Sequence, residues 1–134
     1  MLVDVITRAK HELYCAEVIV SGGFGVGSKE GFALLSELAD AMNAGLGASR
    51  AAVNAGFASY KNQVGLTGQI VRPRIYIAFG ISGAVQHIIG MEASQTVIAI
   101  NNDSHAPIFS HADYGIVSDW EPIAREMLAY YKSR

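Results

Sequence analysis

The stretch Arg74-Ile-Tyr-Ile-Ala-Phe79-Gly80-Ile81-Ser82-Gly83-Ala84-Val85-Gln86-His87 decides the fold. After Arg74 it is an apolar, β-rich run that reads as a buried strand, and Gly80 breaks it. Ser82 to Ile89 then reads as a short helix closed by Gly90. A strand end, a glycine turn and a helix start in direct succession let Ser82 and the backbone N–H groups of the turn reach a ligand. Gln86 and His87 follow on the first helical turns.

Outward from this unit, the same alternation repeats. Toward the N-terminus, residues 17–21, Glu-Val-Ile-Val-Ser, form a first buried strand ending at Gly22-Gly23. A helix is expected from Lys29 to Ala44, because Phe32, Leu35, Ala39 and Met42 share one face, with Ser28 as N-cap and Gly45 as stop. Leu46 to Ser49 reads as a second strand, and residues 50–56 as a helical turn behind it. Residues 57–72 carry no strong period and include Gly65, Thr67 and Gly68. They read as a long ordered loop with a brief strand near Gln69 to Val71, and such loops are usually functional. Toward the C-terminus, Thr96 to Ile100 is the clearest core strand, Tyr114 to Val117 a final short one, and Glu121 to Tyr131 a closing helix. Met1 to Tyr14 is mildly amphipathic and reads as an accessory helix. Strands alternating with helices predict an α/β domain built on a parallel sheet.

At 134 residues the chain has room for one domain. With 51% hydrophobic and 16% charged residues it is no disordered tail. A formal net charge of −2 provides no positive field for nucleic acid or an anionic membrane. Cys15 is the only cysteine, so an internal disulfide and a cysteine-cluster metal site are excluded, and a reducing compartment is expected. No apolar run approaches the ~18 residues of a membrane span, and the first residues lack the pattern of a signal peptide. These features predict a cytoplasmic chain.

In open parallel sheets, ligands sit outside the carboxyl ends of the strands. The strand ends here carry Ser21-Gly22-Gly23, Ser49-Arg50, Gly80-Ile81-Ser82-Gly83, Asn101-Asn102-Asp103 and Ser118-Asp119. Small and hydrogen-bonding residues from so many strands point to a large ligand rich in heteroatoms, of which a nucleotide cofactor is the natural example. The turn from Gly22 to Ser28 suits an anion, but Ser28 stands where a dinucleotide fingerprint needs its last glycine. Arg50 stands where an ordinary NAD site carries an acid for the ribose. It suits a phosphate or negative charge developing on a ring, with a surface ion pair as the alternative. His11, His105 and His111 lack zinc-ligand spacing, and no G-x-S-x-G elbow supports a hydrolase.

Taken together, the motifs resemble a known family. Val-Ser-Gly-Gly (20–23), Gly-Ala-Ser-Arg through Val-Asn-Ala-Gly-Phe (47–57), Gln-Val-Gly-Leu-Thr-Gly (63–68), Tyr-Ile-Ala-Phe-Gly-Ile-Ser-Gly-Ala-Val-Gln-His (76–87), Ala-Ile-Asn (99–101) and Ala-Pro-Ile-Phe followed by Ala-Asp-Tyr-Gly (106–115) look like the C-terminal FAD-binding domain of electron transfer flavoprotein alpha subunits. The resemblance implies a single α/β domain with a three-layer, Rossmann-like parallel sheet of the DHS-like NAD/FAD-binding type. The domain would span residues 17–134, after an accessory segment over 1–16. It also implies an FAD-holding carrier of single electrons with no substrate chemistry of its own. A beta subunit would be its partner, flavin dehydrogenases its electron donors, and this chain an excised domain, a proteolytic remnant or one product of a split subunit.

By position in that family, Thr67 would meet the flavin N5 edge, His87 the O2 edge, and Arg50 would lie by the ring. Ser49 and the run Val64, Gly65, Leu66 belong to the same implied site. Ser82, Gly83, Ala84, Val85 and Gln86 would line the ribityl and phosphate stretch, and Asn101, Asp119 and Trp120 the adenosine end. Donors near the N1–O2 side stabilise negative charge on the ring, which tunes a flavin toward one-electron steps. The chain departs from the family at Phe24, where arginine is usual, at Leu66 for glutamine, and at Asn54 for aspartate. Two other readings stand beside this one: an NAD(P)-binding enzyme domain of related fold with Arg50 on a phosphate, and an assembly module with weak cofactor binding.

Overall fold

The computed structural model describes residues 13–134. Strand β1 spans Val18–Gly22, β2 Gly45–Ala48, β3 Ile75–Phe79, β4 Thr96–Asn101 and β5 Tyr114–Val117. Helix α1 spans Lys29–Met42, α2 Arg50–Asn54, α3 Val85–Met91 and α4 Trp120–Lys132. All four strand pairings are parallel, in the order β2-β1-β3-β4-β5. The order reverses between β1 and β3, because β2 is laid to one side of β1 and the rest of the sheet to the other. A crevice opens at such a reversal, outside the carboxyl ends of the strands.

Alternation along the strands divides the core into two layers. Val20, Ile77, Phe79 and Ile100 face α1, α2 and α4, whose Phe32, Leu35, Leu38, Ala52, Ala124 and Leu128 close the first layer. Ile19, Tyr76, Ala78, Val97 and Ala99 face the other way, under α3 and the loop segments that supply Val64, Val71, Ala106 and Ile108. The parallel α/β sheet expected from the strand–helix alternation is therefore present, in the three-layer form that the family resemblance implies. Helix α1 forms where its apolar stripe predicts, and the Ser28 hydroxyl accepts from the Gly31 N–H at 3.0 Å as the N-cap.

Several boundaries differ from the sequence reading. Helix α1 ends at Met42 and is capped by Asn43, in the left-handed region at φ 57°, ahead of Gly45; Asn43 N–H closes onto the Ala39 and Asp40 carbonyls, a conformation asparagine tolerates. Helix α3 starts at Val85, not Ser82, because Gly83 sits at φ 96° and Ala84 is extended. Its closure at Gly90 does not occur either, and the helix runs on to Met91. The brief strand expected near Gln69–Val71 is reduced to a single isolated bridge, Gln69 with Val64. The Gln69 N–H goes back to Gln63 O at 2.8 Å and the Val71 N–H to Gly90 O at 2.8 Å, so these donors are spent within the loop and on α3. The accessory helix expected over residues 1–14 lies outside the described residues except for its end, where Leu13–Cys15 form one 3-10 turn with Leu13 buried under the sheet.

Candidate functional site

The crevice at the strand-order reversal is a groove of about 580 Å³. Its floor is the contact between the turns after β1 and β3. Gly25 N–H donates to Gly80 O at 3.0 Å, and Gly80 adopts φ 66°, where a Cβ would stand 3.0 Å from the Gly25 carbonyl carbon and the Val26 nitrogen. Only glycine allows these two turns to touch.

One wall comes from the end of β2. Ser49 is buried as the N-cap of α2, its oxygen accepting from Ala52 N–H at 3.2 Å. Arg50 follows, exposed, lining the groove and with no ion-pair partner among the described residues. The surface ion pair weighed for it is therefore not formed there. Above it lies the loop segment Val64-Gly65-Leu66-Thr67, which the sequence leaves without period. This segment is anchored to α3: Leu66 N–H donates to Gln86 O at 2.8 Å, and Gly90 meets Gly65 so closely that a Cβ on Gly90 would overlap the Gly65 nitrogen. Behind the segment, buried Gln63 donates from Nε2 to Thr67 Oγ1 at 3.0 Å, and the Tyr60 hydroxyl donates to the Thr67 carbonyl at 2.6 Å. With its oxygen already accepting, the Thr67 hydroxyl has its hydrogen free to donate.

His87 lines the opposite wall and is 95% buried, at 5% relative exposure. Its Nε2 lies 2.7 Å from the Tyr76 hydroxyl, and that hydroxyl lies 2.9 Å from Ser21 Oγ. Nδ1 is buried with no hydrogen-bond partner among the described residues. Burial pushes the imidazole pKa down to about 4; the Val64 backbone pulls weakly the other way without reaching full hydrogen-bond geometry. His87 is therefore neutral near pH 7. Burial likewise raises the Tyr76 phenol well above its usual range, with the Ser21 hydroxyl offsetting a little of that shift.

The turn Ser82-Gly83-Ala84 forms the far end of the groove. Two of its carbonyls are tied down, Ser82 O by Ile108 N–H at 2.8 Å and Ala84 O by the His87 and Ile88 N–H groups, whereas the N–H groups of residues 82–84 donate to nothing among the described residues. Gln86 is exposed on the rim, and Val85 stands outside the groove at 72% exposure. Asn101 braces the floor, donating to Ile81 O at 3.0 Å and accepting from Asp103 N–H at 2.9 Å. Past Gly25, Gly80 and Asn101 the groove continues into a second recess of about 640 Å³, which Asp119 and Trp120 line. There Asp119 accepts from Asn102 Nδ2 at 3.2 Å, and Arg125 pairs with Glu121 at 2.8 Å.

The structure thus gathers Ser49, Arg50, Val64 to Thr67, Ser82 to Ala84, Gln86, His87 and Asn101 around one groove, puts Asp119 and Trp120 on its continuation, and leaves Val85 outside. Sequence reasoning missed Tyr76 and Gln63, the buried groups behind His87 and Thr67, and read Ser21 only as part of a strand-end turn. For Tyr76 the available signal was a polar atom inside an apolar strand. Phe24, read only as a departure, is 62% exposed on the groove and stacks on Phe57 with ring centres 5.8 Å apart.

Residues 12–92 match the family model described as the electron transfer flavoprotein FAD-binding domain. The chain is 51% identical over 124 residues to the electron transfer flavoprotein subunit alpha of Paracoccus denitrificans, covering 92% of this chain and 40% of that protein. It is 56% identical over 104 residues to the subunit alpha of Thermoanaerobacterium thermosaccharolyticum, covering 78% of this chain and 32% of the relative. It is 55% identical over 108 residues to that of Pseudomonas aeruginosa, covering 81% and 35%. The chain therefore spans between about a third and two fifths of the length of these relatives. Among solved structures, a thiamin diphosphate-dependent enzyme from Mycobacterium smegmatis shares the fold alone, at 11% identity and a TM-score of 0.53 over 95% of this chain and 27% of that one.

Proposed function

The chain belongs to the family of electron transfer flavoprotein FAD-binding domains, and on that premise we propose that it holds FAD and relays single electrons instead of transforming a substrate of its own. The residues fit that cofactor. Two recesses joined at Gly25, Gly80 and Asn101 suit an elongated dinucleotide better than a compact metabolite. The observation that carries the reading is the set of donors left unspent, among the described residues, along one groove: the Thr67 hydroxyl hydrogen, the Arg50 guanidinium and the N–H groups of residues 82–84.

Bound FAD supplies the redox chemistry, accepting and giving up electrons one at a time. The chain's own residues supply its orientation and electrostatics. Thr67 presents its hydroxyl to the N5 edge, with Gln63 fixing that hydroxyl's direction. Arg50 lies by the ring and His87 by its O2 edge, so that a cation and a neutral imidazole stand where negative charge develops. Residues 82–86 hold the ribityl and phosphate stretch, and Asn101, Asp119 and Trp120 the adenosine end. The FAD-binding unit covers residues 17–134, it works in the cytoplasm, a beta subunit closes over the flavin, and flavin dehydrogenases donate the electrons.

The test is the visible absorption of the purified chain, alone and with a beta-type subunit, with chromatography of the released cofactor and calorimetric titration with FAD and NADP. Uptake of FAD in preference to NADP is expected. A chain that stays colourless with FAD and partner present, or that prefers NADP, overturns the reading. Among the described residues no helix is long and apolar enough to cross a membrane.

A further inference from the structure

Ser21, Tyr76 and His87 form a line of buried polar atoms inside an otherwise apolar layer, drawn from three separate elements, β1, β3 and α3. The Tyr76 hydroxyl stands between its neighbours, 2.9 Å from Ser21 Oγ and 2.7 Å from His87 Nε2. It has one hydrogen to donate, so its direction sets the hydrogens on both sides.

Two arrangements satisfy that constraint. In the first, Nε2–H donates to the Tyr76 oxygen and Tyr76 donates to Ser21. The Ser21 hydroxyl, fully buried and with no other partner among the described residues, then has a hydrogen with no acceptor, and Nδ1 is a buried acceptor with no donor. In the second, Ser21 donates to Tyr76, Tyr76 donates to Nε2, and the imidazole hydrogen sits on Nδ1. Both hydroxyl hydrogens then have acceptors, and the one unspent group of the line is Nδ1–H, in the groove wall that His87 shares with Val64. Each arrangement buries one donor without an acceptor, but the first also leaves Nδ1 a buried acceptor without a donor; the smaller number of unsatisfied groups favours the second.

The geometry assigns Ser21 and Tyr76 as positioning residues that hold neutral His87 in its Nδ1–H form, with Nε2 as an acceptor fixed in direction. The ring, restrained at Nε2 by Tyr76 and tilted 53° to it at 5.9 Å between centres, presents the groove with one defined edge. The assignment of the hydrogen stands on the chain alone; its consequence for the flavin rests on the function proposed above.

The test is nitrogen NMR of the histidine-labelled full chain at neutral pH without flavin, with the His87 signals identified by their loss in His87→Gln. A protonated Nδ1 and an unprotonated Nε2 are expected; a protonated Nε2, or an even mixture of the two forms, overturns the assignment. Ser21→Ala leaves the Nδ1–H form in place, because Tyr76 still donates to Nε2. In the rejected arrangement the same variant frees Tyr76 to turn toward His87, so a change of tautomer on Ser21→Ala also overturns the assignment. Tyr76→Phe keeps the ring and removes the donor, so the single tautomer is lost; its persistence counts against the relay. Should Tyr76→Phe fail to fold, the parent chain and Ser21→Ala still decide. In the flavin-loaded protein, Tyr76→Phe is expected to weaken FAD binding between about two- and tenfold, the loss of one neutral hydrogen bond. Absence of FAD uptake by the parent chain would sink the proposed function while leaving the NMR result to stand or fall separately.

Discussion

At the scale of single residues, His87 is a histidine whose buried surroundings change its chemistry. Burial lowers its pKa from 6.5 to about 4. A base with a depressed folded pKa binds fewer protons folded than unfolded, so stability falls as pH drops through 6.5 and the loss is complete below about 4. At about 1.4 kcal/mol per unit the loss is on the order of 3 kcal/mol. Urea unfolding at pH 7 and pH 4.5 should show it, and His87→Gln should flatten that part of the dependence. Thr67 tests the other wall. Thr67→Val keeps the shape but leaves buried Gln63 Nε2 without its acceptor, so we expect a stability loss of about 1 kcal/mol, read from the urea midpoint, together with a changed reduction potential for bound FAD. Arg50, Thr67 and His87 were legible in the sequence because they follow strand ends and glycine turns. The link between Tyr76 and Ser21 was not, since the two find each other across 55 residues. Only the pairing of β1 with β3 brings them together.

At the scale of elements, the site depends on how the segment around residues 63–71 is held to α3. Leu66 and Val71 donate to carbonyls of that helix, and Gly90 lies against the Gly65 backbone. Gly90→Ala places a methyl where the Gly65 nitrogen stands, and backbone cannot yield as a flexible side chain does. A loss of about 3 kcal/mol is expected, at the upper end of overpacking costs. Thermal unfolding should record it, and FAD uptake should fall with it because Thr67 is displaced. The sequence placed Gly90 at a helix end, by the usual reading of a glycine after a periodic run. Its actual role is close approach between two backbones, and local pattern holds no information about what packs on a helix. Helix α1, by contrast, was legible nearly to the residue, since an apolar stripe and a serine cap are local signals.

For the molecule as a whole, ligand binding and stability are linked. FAD that binds only the folded chain adds about 2.7 kcal/mol at a hundredfold excess over its dissociation constant. For a chain of 134 residues this corresponds to a rise in the unfolding midpoint on the order of 10 °C. Differential scanning fluorimetry with FAD and with NADP measures it, and an equal rise with NADP would contradict the proposed cofactor. By itself the sequence determined the fold class, the family and the groove-lining run from Gly80 to His87, because strand-and-helix periodicity, glycine breaks and ordered motifs are properties of neighbouring residues. The tertiary structure alone decided the strand order and the reversal that opens the groove, the anchoring of the Thr67 segment on α3, and the buried line from Ser21 to His87. Those features arise from contacts between residues far apart in the chain, where burial and hydrogen-bond partners are set only once the sheet is assembled.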